Sequence, residues 1–236
     1  MVAPSEYREF APPAHLSAHV ECFWTHACRA TPGRIVPDTC VDLIFSRDTG
    51  LQIVGSMTRP LFSPASRHPI FGVRLRAGTV QSVLSLPLPE LCDRVVPISD
   101  LIPRPVTLPE STDERHVLAM LEQFLAPAQP LSPTQLAIAH LAANGGMVRI
   151  DEAARMCGLS VRQFRRHCIE QTGFSPKTLA RISRFRRAWE RSMQGTSPNW
   201  TDVALDCGYY DQAHLVNDFV EFSGVSPAAF RRSRDA

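Results

Sequence analysis

The C-terminal part of the chain contains the same segment twice, and this internal repeat is the sequence feature that most constrains the fold. Residues 151–176 match residues 201–227, with an offset of 50 that becomes 51 because the second copy has one extra residue in its turn. A repeat of this kind indicates one supersecondary unit that occurs twice. The matched pairs are Ala154 and Ala204, Cys157 and Cys207, Gly158 and Gly208, Ser160 and Asp211, Phe164 and Leu215, Cys168 and Phe219, Gly173 and Gly224, and Pro176 and Pro227.

Each copy has the pattern of a short helix, a tight turn and a second, amphipathic helix. In the first copy Gly158 can take the left-handed backbone that ends a helix, and Ser160 can cap the helix that follows. The pattern predicts two helix-turn-helix units, at about 151–173 and 200–224, whose second helices enter the major groove of duplex DNA. The alternative, a helical hairpin repeat with no role in DNA binding, is disfavoured by the matching caps in both copies.

Positive charge is concentrated around the first unit. Residues 149–191 contain 11 basic and four acidic residues, a net charge of +7, whereas the whole chain has a formal net charge of +2. Arginine can donate two hydrogen bonds to guanine and glutamine can pair with adenine, so exposed residues at the start of the recognition helix are predicted base contacts. They are Arg162, Gln163, Arg165 and Arg166. Predicted phosphate contacts are Ser160 and, on a long helix predicted at about 176–194, Lys177, Arg181 and Arg184.

The second unit is a weaker candidate for DNA binding. Its recognition helix offers Gln212, Ala213, His214 and Asn217 as base contacts. Residues 192–236, however, contain three arginines and six acidic residues, a net charge of −3, and acidic side chains repel phosphates. We therefore expect the first unit to provide most of the affinity, while the second adds register or modest specificity.

Proline divides the chain into two parts. Seventeen of the 20 prolines lie in residues 1–133, where they exclude long helices over much of the sequence. Apolar runs there predict strands at 20–25, 34–45, 52–54 and 70–75, and one helical stripe predicts a helix at 112–125. The predicted organisation is an α+β chain with a β-rich domain at 1–125, a proline-rich linker at 126–133 and an all-α DNA-binding domain at 134–236.

The C-terminal part resembles the AraC/XylS family of bacterial transcription regulators over about 131–232. The resemblance is carried by residues 208–219, Gly-Tyr-Tyr-Asp-Gln-Ala-His-Leu-Val-Asn-Asp-Phe, and by residues 224–231, Gly-Val-Ser-Pro-Ala-Ala-Phe-Arg. It implies two helix-turn-helix subdomains joined by a long helix and directed at major-groove segments about one turn apart. It places the base contacts on the same eight residues, with one departure at Asn217, where the family usually has a basic residue.

The N-terminal part resembles, more loosely, the sensory domains found in one branch of that family. The likeness lies in residues 37–45, 54–60 and 71–78. It implies a compact, barrel-like, β-rich domain that binds an effector or a partner subunit. The expected partners are therefore duplex DNA, a small-molecule effector, a second copy of the chain in a homodimer, and RNA polymerase.

Four residues of this domain are candidates for effector binding. Asp38 and Asp42 lie four residues apart on a predicted strand, and therefore on one face, with Cys40 between them. The two carboxylates can bind a ligand amine or form ion pairs with Arg34 or Arg74, and the ion-pair interpretation is favoured. Cys40 can be a redox sensor or, as is more common, a small buried residue.

Cysteine usage and hydropathy favour a reduced, cytoplasmic protein. The seven cysteines have no regular spacing, and no apolar run approaches the roughly 20 residues of a membrane span. We expect no membrane association, no cofactor, no bound metal and no enzyme activity.

Other functions stay open at this point. His15, His19 and Cys22 are metal-ligand residue types that lie near one another in the sequence, but no CxxC pair accompanies them. A DNA-repair methyl acceptor, which occurs fused to this type of DNA-binding domain, needs a zinc-held cysteine from paired cysteine spacings that the chain does not show. An N-terminal enzyme activity tethered to DNA and a scaffold with a decayed DNA-binding domain are the remaining alternatives.

Overall fold

The computed structural model describes residues 7–28, 32–86, 88–102, 113–125, 128–193 and 199–235. Within these residues the N-terminal part is rich in strands and the C-terminal part is helical, so the predicted α+β fold class is confirmed. The strands are β1 Tyr7–Phe10, β2 Val20–His26, β3 Gly33–Ile35, β4 Val41–Ser46, β5 Gly50–Val54, β6 Leu61–Ser63, β7 Ile70–Leu75 and β8 Val95–Pro97. The helices are α1 Val80–Val83, α2 Leu88–Leu91, α3 Glu114–Leu125, α4 Pro133–Ala143, α5 Ile150–Met156, α6 Val161–Thr172, α7 Pro176–Met193, α8 Trp200–Asp206, α9 Gln212–Ser223 and α10 Pro227–Asp235.

The N-terminal strands form a six-stranded antiparallel sheet in the order β1-β2-β7-β4-β5-β8, and β3 pairs with β6 in a separate ribbon. In the described residues β1 and β8 are the edges of an open sheet, so "barrel-like" applies only loosely. The sheet buries the side chains of Leu43, Ile53 and Val73 completely. Helix α3 packs on it with an apolar stripe that includes Val117 and Leu121, which matches the helical periodicity of the sequence.

One predicted strand is wrong in its extent. The apolar run at 34–45 predicts a continuous strand, but the chain leaves β3 at Ile35 and enters β4 only at Val41. Pro37 has no amide hydrogen to donate to a strand neighbour, and Thr39 has a φ of 70°, in the left-handed region. The chain therefore turns between the two strands.

The helical part has one apolar core that includes residues from both copies of the repeat. Phe164 of α6, Phe185 of α7, and Phe219 and Phe222 of α9 are all buried. The ring of Phe185 lies 5.6 Å from that of Phe219 and 5.3 Å from that of Phe222, so α7 packs directly against the second copy. Helix α7 therefore joins the two copies through packing as well as through the chain.

Polar contacts fix helix α4 to the N-terminal domain. The side-chain amide of Gln135 donates from Nε2 to the Gly78 carbonyl at 3.0 Å and to Ser82 Oγ at 2.7 Å, and all of these atoms are buried. Just before α4, the Gln129 amide donates to the Ser82 carbonyl at 2.9 Å, while residues 126 and 127 of the predicted linker lie outside the described residues. The described part of the predicted linker is therefore held against the N-terminal domain. None of the helices described here is both long and apolar enough to cross a membrane.

The Ser132 cap of α4 gives a stability prediction. Ser132 Oγ accepts from the Gln135 amide at 3.3 Å, and the Gln135 side chain accepts from the Ser132 amide at 2.8 Å, a complete capping box. We expect Ser132→Ala to lower the free energy of unfolding by about 1 kcal/mol, measured by urea denaturation. Ser99→Ala, at an exposed serine away from this cap, is the control, and an equal loss in both variants would contradict the prediction.

Candidate nucleic-acid interface

The predicted helix-turn-helix pattern is present in the structure of the first copy. Helix α5 ends at a turn in which Gly158 has a φ of 68°, and α6 starts after Ser160 with a complete capping box. Helix α6 ends at Gly173, which has a φ of 76°. Phe164 and Cys168 are fully buried on its inner face. These caps and the buried face fix which side of α6 meets solvent.

The outer face of α6 presents the predicted base contacts. Arg162, Gln163, Arg165 and Arg166 are all exposed, and no salt bridge is found for Arg162 or Arg165 among the residues with described side chains. Arg166 has an exposed ion pair with Glu170 at 3.7 Å, a contact that contributes little in water. Three guanidinium groups therefore project from the N-terminal half of one helix, where they can reach base edges or phosphates.

Gln163 has a second role that competes with base recognition. Its Oε1 accepts from the Ser160 amide at 3.0 Å and from Ser160 Oγ at 2.7 Å. A bidentate pair with adenine uses both the oxygen and the amide hydrogens of glutamine. Gln163 can therefore read an adenine in that way only if the capping box opens, whereas its amide hydrogens alone can contact a base with the box intact.

The second copy has the same geometry. Asp211 accepts from the His214 amide at 2.7 Å and caps α9, which ends at Gly224 with a φ of 75°. Gln212, Ala213 and Asn217 are exposed, whereas His214 is half-buried. The His214 ring lies edge-on to Tyr209 at 5.1 Å, so packing restrains the imidazole at the base of the exposed face.

Tyr210 is a candidate contact that the sequence reasoning missed. Its side chain is 88% exposed and directly precedes the Asp211 cap of α9. It lies in the turn where the second copy has its extra residue, so an aromatic side chain at the insertion was the available signal. An exposed phenol beside a recognition helix can donate to a phosphate or pack on a thymine methyl group.

Arg181 of α7, a predicted phosphate contact, has two carboxylate partners on α9. Its Nη2 lies 2.6 Å from Asp218 Oδ1 and 2.6 Å from Glu221 Oε2. The Asp218 side chain is only 2% exposed. The hydrogen bond to Glu221, together with the contacts to Asp218, raises the pKa of the guanidinium above its ordinary value. Arg181 therefore links the long helix to the second recognition helix.

The other predicted phosphate contacts differ from one another in exposure. Arg184 donates from Nη1 to the Gly208 carbonyl at 3.2 Å, and its guanidinium lies 5.3 Å from the centre of the Tyr209 ring. Lys177 is exposed in the first turn of α7, and Ser160 is exposed at the N-cap of α6. Lys177 and Ser160 are thus open to a phosphate, while Arg184 is also used inside the protein.

Helix α7 neutralises part of the negative charge of the second copy. Besides Asp218 and Glu221 on Arg181, Asp206 pairs with Arg191 at 2.7 Å. Half of the six acidic residues in 192–236 therefore have arginine partners from the first copy's side of the domain. The net charge of −3 overstates the repulsion that a phosphate would meet at α9.

The four candidate effector-binding residues are brought together, though not on one regular strand. Asp38 lies in the turn before β4, and Asp42 lies on β4. Arg74 of β7 reaches both, with Nε 3.4 Å from Asp38 Oδ2 and 3.3 Å from Asp42 Oδ1. Burial raises the pKa of Asp42 despite the charge of Arg74. The cluster is a buried ion-pair network, as the favoured interpretation predicted.

Cys40 lies at the edge of this network. The thiol donates to Glu21 Oε2 at 3.5 Å, and Arg186 of α7 lies beside it at 3.5 Å. Burial raises the pKa of Cys40 well above its ordinary value. Since the thiolate is the reactive form, this environment does not activate the sulfur. In the described residues, no group of three or more His, Cys, Asp or Glu side chains is arranged to hold a metal ion.

A cleft of about 1020 Å³ lies between the two domains beside this network. Charged side chains of both signs line it, and Arg186 spans it, with Nη2 2.7 Å from Glu21 Oε1 and Nη1 3.3 Å from the Asp38 carbonyl oxygen. Its charged or titratable lining residues are Glu21, Cys40, Arg76, His140, Glu152, Arg186, Arg187 and Glu190. Helix α7 of the DNA-binding domain therefore contacts the N-terminal domain directly.

Two protein-family models match the chain, one in each part. Residues 153–233 match a family model described as a helix-turn-helix domain. Residues 153–233 are an AraC-type helix-turn-helix domain. This confirms the resemblance read from the sequence. AraC-type domains are the DNA-binding domains of transcription regulators. Residues 8–97 match a domain of unknown function, DUF6597. The comparison with curated proteins found no match.

Several solved structures are similar to the chain. One is an AraC-type regulator from Chromobacterium violaceum, 24% identical, covering 42% of this chain and 88% of that one with a TM-score of 0.38. Another is the DNA-binding domain of the transcriptional factor AdpA in complex with a target DNA, 24% identical, covering 44% of this chain and 93% of that one with a TM-score of 0.39. A third is ToxT from Vibrio cholerae, 10% identical, covering 89% of this chain and 98% of that one with a TM-score of 0.48.

Proposed function

We propose that the chain is a sequence-specific DNA-binding transcription regulator whose AraC-type domain reads two major-groove segments. The observation that carries this proposal is the pair of capped recognition helices, α6 and α9, each with an exposed N-terminal half. Helix α6 supplies Arg162, Arg165 and Arg166 for guanines or phosphates, and α9 supplies Gln212 and Asn217 for bases. Ser160, Lys177, Arg181 and Arg184 are the proposed phosphate contacts, of which the first two are the most accessible.

Selection of bound duplexes from a random-sequence library tests this proposal. We expect enrichment of two short elements about one helical turn apart, because each recognition helix enters its own stretch of major groove. The affinity for the selected site should fall steeply with salt, with a slope of about −0.9 for each phosphate contacted. The control is the same selection with a variant in which Arg162, Arg165 and Arg166 are replaced by alanine. Enrichment of the same elements by that variant, or no enrichment by the natural protein, would refute the proposal.

We also propose that the N-terminal domain responds to a small-molecule effector at the interdomain cleft. Charges of both signs line the cleft, so a small ligand that carries both an amine and an acid is the best chemical match. Such a ligand would compete with Arg186 for Glu21, and its binding would therefore change how α7 is held. A panel of amino acids and related zwitterions, tested for a shift in melting temperature and in affinity for the selected duplex, measures this. A homodimer, contact with RNA polymerase and a cytoplasmic location stay predictions.

A further inference from the structure

A loop of the N-terminal domain lies against the C-terminal ends of both recognition helices. This loop, residues 55–60, connects β5 to β6 and is called the bridging loop below. At the first helix, Ser56 Oγ donates to the Thr172 carbonyl at 2.6 Å, and Ser56 is 1% exposed. At the second helix, Pro60 lies beside Gly224, where an added methyl group would be 3.5 Å from Pro60 Cγ. One short loop is thus hydrogen-bonded to the first helix-turn-helix unit and lies beside the second.

The two contacts fall on equivalent positions of the internal repeat. Gly173 and Gly224 are matched residues, and each ends its recognition helix in the left-handed conformation. A methyl group added at Gly173 would be 3.0 Å from Ser56 Oγ, so the loop packs tightly there. Both contacts lie at the helix ends opposite to the exposed N-terminal halves that face DNA. The bridging loop can therefore act on both helices without touching DNA.

The bridging loop is itself held rigidly. A methyl group added at Gly55 would lie 1.9 Å from the Leu91 carbonyl oxygen, which shows how closely the loop approaches the end of α2. The Asp93 amide donates to the Ser56 carbonyl at 2.8 Å, and Asp93 Oδ1 accepts from the Thr58 amide at 2.7 Å. The loop is thus fixed at its start and in its middle.

We propose that the bridging loop sets the separation of α6 and α9, so that the N-terminal domain determines which spacing of DNA elements the protein accepts. The proposal rests on the proposed function. Helix α7 joins the two units, and at 18 residues it is about 27 Å long, so bending of this helix changes the separation even while α9 stays packed on it. A second connection through the bridging loop closes a ring and removes that freedom. Ser56 and Pro60 are therefore positioning residues.

The first test measures the separation without DNA. Spin labels are attached through unnatural amino acids at Arg165 and Ala213, which are exposed on the two recognition helices. We expect one narrow distance distribution in the natural sequence and a distribution about twice as wide in the Ser56→Ala/Pro60→Ala variant, because one of two connections is lost. Arg59→Ala, at an exposed residue of the same loop, is the matched control. Equal widths in all three proteins would overturn the proposal, whether or not the protein binds DNA.

The second test uses duplexes that carry the two selected elements with spacers changed by one or two base pairs. A change of two base pairs rotates one element by about 70° around the duplex, so a rigid pair of helices discriminates against it. We expect the preference for the best spacing to fall about fivefold in the double variant, with affinity for a single element unchanged. An unchanged preference in a double variant that keeps its melting temperature would overturn the proposal. If the double variant unfolds, the same comparison is made with Pro60→Ala alone, whose contact is at the protein surface.

Discussion

Replacing both Arg162 and Arg166 by alanine should lower the affinity for the selected duplex by about 100-fold or more, since each well-placed bidentate contact to a base is worth about 1–3 kcal/mol. Both side chains are exposed on the N-terminal half of α6, and among the described residues no buried contact holds either of them. We therefore expect the fold to be unaffected and the whole effect to appear in binding. Fluorescence anisotropy with a labelled duplex at fixed salt measures it.

The matched comparison is the variant with His214→Ala and Asn217→Ala on α9. We expect a loss of less than about tenfold, because neither residue offers the charge-assisted pair that arginine makes with guanine. Arg115→Ala, on α3 of the N-terminal domain, controls for a general loss of positive charge. If the α9 variant loses as much affinity as the α6 variant, the first unit does not dominate binding.

The helix-turn-helix units could be predicted from the sequence because their determinants are local. Caps, turn glycines and apolar residues four apart lie within one short stretch of chain, so Gly158, Ser160 and Phe164 have the predicted roles in the structure. The doubling of the pattern made the prediction stronger than either copy alone. The residues of α6 that meet solvent could also be predicted, because the apolar residues show which face of the helix is buried.

Contacts between distant parts of the chain could not be predicted in this way. Arg181 is 37 residues from Asp218, and nothing local to either residue indicates that they meet. Ser56 and Thr172 are 116 residues apart, and the pattern around Ser56 predicts only a turn. The strand predicted at 34–45 is wrong for a different reason. The composition favours a strand, but the left-handed backbone of Thr39 interrupts it. The net charge of the second unit overstates its repulsion of phosphates, because a sum of charges ignores the pairing of Asp206 with Arg191 and of Asp218 with Arg181.

The sequence and the structure suggest different roles for Arg181, and each role predicts a different measurable effect. As a phosphate contact it would affect binding and the salt slope, whereas as a partner of Asp218 it would affect folding. The Asp218 side chain is 2% exposed, and removing its cation leaves a buried charge without compensation. Arg187→Ala, at an exposed residue of the same helix, is the matched control, because a surface substitution of this kind changes stability by about 0.5 kcal/mol or less.

We expect Arg181→Ala to lower the free energy of unfolding by about 3 kcal/mol, the usual order for breaking a buried ion pair by removing one member. Urea denaturation followed by circular dichroism of the helices measures this loss. In an Asp218→Asn background the same substitution should cost far less, because the buried carboxylate that needs Arg181 is no longer charged. A variant that keeps its stability but loses about 0.9 from the salt slope would instead make Arg181 a phosphate contact. Either result assigns the guanidinium to one of its two roles, because the ion pair with Asp218 changes the folding equilibrium and a phosphate contact changes the DNA-binding equilibrium.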